Sequence, residues 1–123
     1  MKEFCDKQDI VIISYNPLAS SMIARYYNSK KNDEFNPFKE KIFIDLAKKY
    51  KKPEGQIILN WEHSQGVIPI PGTSKTWRMQ ENLDALKFKM EDKDIEEINN
   101  HFLQERKKRF NVGYKYFGIN IFG

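Results

Sequence analysis

Apolar positions change rhythm several times along this chain. From Ile10 to Tyr15 the residues run IVIISY, β-branched and aromatic without strict alternation. Such a run predicts a strand covered on both faces, as in parallel sheets. Pro17 lacks an N–H and is expected to hold Asn16 extended, ending the strand. After a polar stretch from Ser21 to Asn36, read as a loop, the rhythm becomes helical. Phe38, Ile42, Phe43, Leu46, Ala47 and Tyr50 share a face, with Asn36 as N-cap and Pro37 as first helical residue. Lys51-Lys52 interrupts the pattern. Pro53 opens a second helix with Ile57, Ile58 and Trp61 inward, and Gly66 suits the position just past its end. VIPI (Val67–Ile70) is a second strand, Pro71-Gly72-Thr73 a sharp turn, and Thr76–Leu86 a helix in which Trp77 and Met79 are expected to pack. Glu91–Phe102 is a last helix with Ile95, Ile98 and Phe102 apolar, and Met1–Gln8 reads as the closing turns of a first one. Strand, helices and strand in that order predict a β-α-β unit of a parallel sheet, hence an α/β fold.

Two stretches follow the carboxyl ends of the strands, where α/β barrels bind ligands. After the second strand, the helix opening near Thr76 presents free N–H groups and the positive end of its dipole. Gly72 lets a phosphate approach the backbone, Thr73 and Ser74 offer hydroxyls, and Lys75 and Arg78 offer positive charge. Arg78, Glu81 and Asn82 are spaced i, i+3, i+4 and so share a face. A cation, a carboxylate and an amide together suit a ligand with phosphate at one end and a heteroaromatic ring at the other. The same residues also read as a turn with its cap and a solvated helix face. After the first strand, Tyr15 stands at the strand end, where it reads equally as a core aromatic.

Composition narrows the classes. The 123 residues make at most one domain, and 31% charged residues, well mixed, with nine Phe, six Tyr and two Trp argue for a packed core. The net charge of +4 is mild and favours a polyanionic ligand. Nucleic acid is not expected, because the one dense basic run, Arg106 to Arg109, has no aromatic platform alternating with it. Cys5 is alone and the two His are scattered, so neither an internal disulfide nor a metal site is expected, and His63 reads as an exposed helix-end residue. No stretch approaches the ~20 apolar residues of a membrane span, and no signal peptide is visible, which makes cytoplasm the expected compartment.

The run IPIPGTSKTWRMQENLDAL resembles the aldo-keto reductases, in the variant with IPGT where others have IPKS. The likeness extends upstream through ISYNPLAS and downstream to the tail, so the two motifs stand in the family's order. It implies the last two strands of a partial TIM (β/α)8 barrel, with their helices and an accessory C-terminal helix, residues 1–123 forming the C-terminal portion of a reductase domain. It implies NADPH as cofactor: Thr73, Ser74 and Lys75 in the turn, with Arg78, Glu81 and Asn82 behind it, would hold the 2′-phosphate and adenine. Tyr15 would stack on the nicotinamide, and Leu18 and Ser20 would flank the pyrophosphate. Two positions depart from the family, Asn16 replacing a Ser and Ala19 a Gly, and Gly72 stands where the IPKS variant has Lys. The tail Arg109–Gly123 resembles the segment that closes one side of the substrate pocket.

The family's catalytic Asp, Tyr, Lys and His lie on earlier strands, and no stretch here matches them, so no catalytic residue is assigned, Tyr26 and Tyr27 included. A β/α barrel has eight strands in typically ~250 residues, whereas this chain offers only two candidates. Two strands leave unpaired edges and an uncovered barrel-facing surface. A missing barrel segment, a second copy or an assembly partner is therefore expected to complete the sheet, with a carbonyl substrate only after completion. The resemblance thus implies the adenosine–phosphate side of a carbonyl reductase's cofactor site, inactive alone. The alternative is a non-catalytic structural or binding subunit of a larger assembly. A free-standing enzyme using Asp, Glu or Tyr of the loop is a third and weaker reading.

Overall fold

The computed structural model describes residues 2–18 and 36–104. Elements run α1 (Lys2–Lys7), β1 (Ile12–Tyr15), a 3-10 turn (Pro37–Lys39), α2 (Lys41–Tyr50), α3 (Glu54–Ser64), β2 (Val67–Ile70), α4 (Thr76–Asp84) and α5 (Asp92–Gln104). The two strands pair in parallel with Ile12 opposite Val67 and Tyr15 opposite Ile70. The partial-barrel expectation holds: two neighbouring parallel strands, the helices between and after them, and the accessory helix α5.

The core lies in the helical layer rather than under the sheet. Phe43, Leu46 and Ala47 of α2 meet Ile57 and Ile58 of α3, Ile98 of α5, and Met90 from the connector before α5. The rings of Phe43, Trp61 and Phe102 stand 5.6–6.0 Å apart by centroid, and Trp61 Nε1 donates to Asn99 Oδ1 at 2.9 Å. Polar groups close this layer. Lys49 pairs with the buried Asp94 at 2.6 Å, the Tyr50 hydroxyl also donates to Asp94, and Glu91 N–H donates to that hydroxyl at 2.8 Å. Burial pushes the Asp94 carboxyl up, but the hydrogen bonds from Lys49 and Tyr50 outweigh it and hold it below the usual carboxylate range. Donating that hydrogen bond to Asp94 raises Lys49 to about 12.

Several sequence expectations are corrected. β1 is not covered on both faces. Ile12 and Ser14 turn toward the helices and are half-buried, while Ile13 (59% exposed) and Tyr15 (80%) face away, matched on β2 by exposed Ile68 and Ile70. Two strands with helices on one side bury one face only, so the pleat decides which apolar residues are covered. The strand begins at Ile12, not Ile10, because Asp9 turns left-handed (φ 53°) and Ile10 N–H closes back on the Cys5 carbonyl. Asn16 is not extended: its φ is +57°, a region Asn reaches more readily than most side chains. The sharp exit from β1 prevails over the restraint from Pro17.

Asn36 does cap as expected, accepting from Phe38 N–H, but it caps a 3-10 turn. Glu40 is extended and α2 starts only at Lys41, which leaves Phe38 exposed. Gly66 sits past α3 at φ +72° as its position implied. Trp77 and Met79 do not pack; they are 57% and 48% exposed, and α4 buries no residue at all. Ser20, Tyr26, Tyr27 and the Arg109–Gly123 tail lie outside the described residues. Among the described residues no helix is long and apolar enough to cross a membrane.

Candidate functional site

The parallel register brings the two motifs to one place. Since Tyr15 pairs with Ile70, the last residues of both strands lie side by side, and both following loops leave from the same end. Between them opens a groove of about 180 Å³, lined by Tyr15, Asn16, Pro17, Leu18, Ile70, Pro71 and Gly72. The left-handed turn at Asn16 redirects the chain into this lining. Tyr15 leaves most of its ring free to accept a flat partner. Leu18 lines the groove and also packs against the helical core, so it joins the two regions. A Cβ on Gly72 would meet nothing within 4 Å. The space beside the turn is therefore open to a ligand.

Beyond the turn, Thr73 Oγ1 accepts from Lys75 N–H at 3.1 Å. That hydroxyl oxygen shapes the loop, as the plain turn reading required, and the bond does not use up its proton. Lys75 takes the N-cap position of α4 with extended backbone, and no side chain caps the helix. The first N–H groups of α4 therefore keep the anion-attracting character of an uncapped helix start. Ser74, Lys75 and Arg78 are exposed, while Glu81 and Asn82 are half-buried. The Arg78 guanidinium lies 4.9 Å over the Trp77 ring and makes no ion pair with a carboxylate among the described residues. A guanidinium held by stacking alone keeps its forked donors for a phosphate.

The sequence reading missed what fixes α4. Gln56 and Asn60 are each 6% exposed on α3. Gln56 Nε2 donates to the Glu81 carbonyl at 2.9 Å, and Asn60 Nδ2 donates to the Ala85 and Phe88 carbonyls at 2.7 Å. The signal was present: two amides one helical turn apart, bracketing the apolar Ile57-Ile58-Leu59, are polar where a buried face is otherwise aliphatic. On the helix-facing side of the sheet, burial raises the Glu62 carboxyl, opposed by a hydrogen bond from Ser14.

A tyrosine, a lysine and an aspartate do meet in this fold, but Tyr50, Lys49 and Asp94 do not line the groove. Burial raises the Tyr50 hydroxyl further, and its hydrogen bond to Asp94 does the same. Its proton is directed at that carboxylate, and the group fastens α5 to α2. Among the described residues no cluster of His, Cys, Asp and Glu is placed to hold a metal ion.

Residues 1–102 match the aldo/keto reductase family. The NADP-dependent D-sorbitol-6-phosphate dehydrogenase of Malus domestica is 29% identical over 120 residues, 98% of this chain and 36% of that protein. The NAD/NADP-dependent indole-3-acetaldehyde reductase of Schizosaccharomyces pombe is 34% identical over 108 residues, 88% of this chain and 34% of that one. An aldo/keto reductase from Brucella melitensis superposes with a TM-score of 0.63 at 25% identity, covering 80% of this chain and 32% of the other. A mutant protein solved in complex with NADPH superposes at 0.64 with 23% identity, a likeness of fold. The chain spans about a third of the length of these relatives.

Proposed function

This chain belongs to the aldo/keto reductase family, and from that premise we propose that it is the C-terminal portion of an NADP(H)-dependent carbonyl reductase domain, supplying the adenosine–phosphate side of the cofactor site. The observation that carries the reading is the convergence of Tyr15, the open turn at Gly72 and the uncapped start of α4 at one end of the sheet. The residues fit the cofactor. Thr73, Ser74, Lys75 and Arg78 would hold the 2′-phosphate, Glu81 and Asn82 the adenine, Leu18 and Ser20 would flank the pyrophosphate, and Tyr15 would carry the nicotinamide. NADPH bound there supplies the hydride that the family delivers to a carbonyl carbon. Arg78 and Lys75 bias the site toward the phosphorylated dinucleotide, because a forked cation beside a helix start rewards the extra dianion. The NADP-dependent relatives support the same choice.

By itself the chain binds weakly and turns nothing over. It carries neither the catalytic motifs nor the nicotinamide-amide contacts of the family, and a half-formed site lacks pre-organisation. A missing barrel segment, supplied by a longer polypeptide or by a partner, restores the activity, in the cytoplasm. A second reading, a structural subunit of a larger assembly, draws on the exposed face formed by Ile13, Ile68 and Ile70.

Titration of the purified chain with NADPH and NADH separates the two readings. Trp77, stacked under Arg78, provides the fluorescence signal, and light scattering on the same sample gives the mass. Saturable binding that prefers NADPH, with the preference lost in Arg78→Ala, is the expected result. Absence of binding from a monodisperse oligomer rejects the cofactor reading in favour of the structural one.

A further inference from the structure

Helix α4 carries Arg78, Glu81 and Asn82, yet buries no side chain. Apolar packing therefore does little to set its rotation or its height along α3. What does reach it from the core is a pair of amides. Gln56 and Asn60 are spaced i, i+4 on α3, and their acceptors are spaced i, i+4 as well, the Glu81 carbonyl within α4 and the Ala85 carbonyl just past its end. The two helices are thus registered turn against turn by side-chain donors on main-chain acceptors. The upper rung ends on Glu81 itself. Its carbonyl already accepts the intrahelical bond from Ala85 N–H at 3.1 Å, so the bond from Gln56 is an added one. Losing it leaves no orphaned acceptor, which keeps its contribution to overall stability small. The lower rung, from Asn60, ends on Ala85 and Phe88, past the end of α4 and away from the groove lining.

We infer that Gln56 is a positioning residue for the cofactor site, setting through the Glu81 carbonyl the rotation at which α4 presents Arg78, Glu81 and Asn82, while Asn60 serves the stability of the connector. This inference rests on the cofactor reading above and deepens it. Amide donors fixed in a packed helix hold a site more tightly than loop contacts do, and small rotations of α4 move the three side chains together.

The test compares Gln56→Met, which keeps the volume and removes the donor, with Asn60→Leu in the same full chain. Amide hydrogen exchange across α4 reads the registration without any ligand, and NADPH titration reads its consequence. In Gln56→Met, exchange from Arg78 to Ala85 quickens about tenfold while α2 and α5 are unaffected, and the Kd for NADPH rises about fivefold. Asn60→Leu lowers the Tm more than Gln56→Met does, yet changes the NADPH Kd less than about twofold. Affinity losses that simply rank with the Tm losses, or unchanged exchange across α4 in Gln56→Met, overturn the inference. An unsubstituted chain that fails to bind NADPH rejects it together with the cofactor reading, whatever the exchange data show.

Discussion

The two sides of this molecule are held together by different means. Behind the sheet, α2, α3 and α5 interlock through Phe43, Ile57, Ile58 and Ile98, all nearly inaccessible, and through the aromatic group of Phe43, Trp61 and Phe102. At the groove end, the front of the molecule for a ligand, the strands expose half their side chains, and α4, which lies beside α3, is anchored by amide hydrogen bonds instead of a core. The difference separates folding from binding. Hydrophobic burial supplies most of the stability in the rear layer, whereas the front keeps open backbone and cations, Lys75 and Arg78, exposed to a ligand.

Substitutions can break or sharpen this division. Phe43→Ala empties the centre of the rear layer and should lower the unfolding free energy by about 3–5 kcal/mol in a denaturant titration; a loss comparable to that of a surface site would deny the layer its role. Asp94→Ala leaves the Tyr50 hydroxyl proton without its acceptor and removes one partner of Lys49, and should cost roughly 1–3 kcal/mol. Its pH signature has a definite sign. The folded Asp94 carboxyl lies below its unfolded value, so its contribution is complete at neutral pH and lost only as pH falls beneath the ordinary carboxylate range. Lys49, raised to about 12, contributes below its unfolded value of 10.5 and loses that contribution as pH climbs through the interval between them. Thermal unfolding followed across pH should show both losses, and Asp94→Ala should flatten the acid limb. Smallest in stability is Arg78→Ala, expected to change the unfolding free energy by no more than ~0.5 kcal/mol while removing the NADPH preference. A large loss of stability in that variant would join the front to the core and end the comparison.

The sequence was most legible where local chemistry and burial agree. The apolar faces of α2, α3 and α5 could be read from spacing alone, as could the β2-turn-α4 unit and the left-handed Gly66. Legibility failed where the answer depends on how many layers exist. IVIISY has the composition of a doubly covered strand, and nothing within it tells that Ile13 faces outward, since coverage is a property of neighbours. Trp77 and Met79 were expected to pack for the same reason, and both stay exposed, Trp77 with the Arg78 guanidinium over its ring. At the site, Arg78, Glu81 and Asn82 were identifiable by spacing and resemblance, whereas for Gln56 only its polarity beside aliphatic neighbours was visible, not what it holds. Its importance comes from a main-chain acceptor on another helix, and such acceptors carry no residue identity. Asn16 shows the converse case: a rule about prolines favoured extended backbone, and the sharp turn out of the strand prevailed.

The matching of Tyr15 with Ile70 also determines which changes of chain length the protein can absorb. Successive residues of a strand point to opposite faces, so one residue inserted within Ile12–Tyr15 would bring Ser14's side of the pleat to the groove and turn the tyrosine ring toward the helices. The same insertion at Lys51-Lys52, between α2 and α3, meets a turn already in left-handed backbone and leaves the strand ends opposite one another. A change of length is therefore better tolerated at the Lys51-Lys52 turn than within the short strands on either side of the connection.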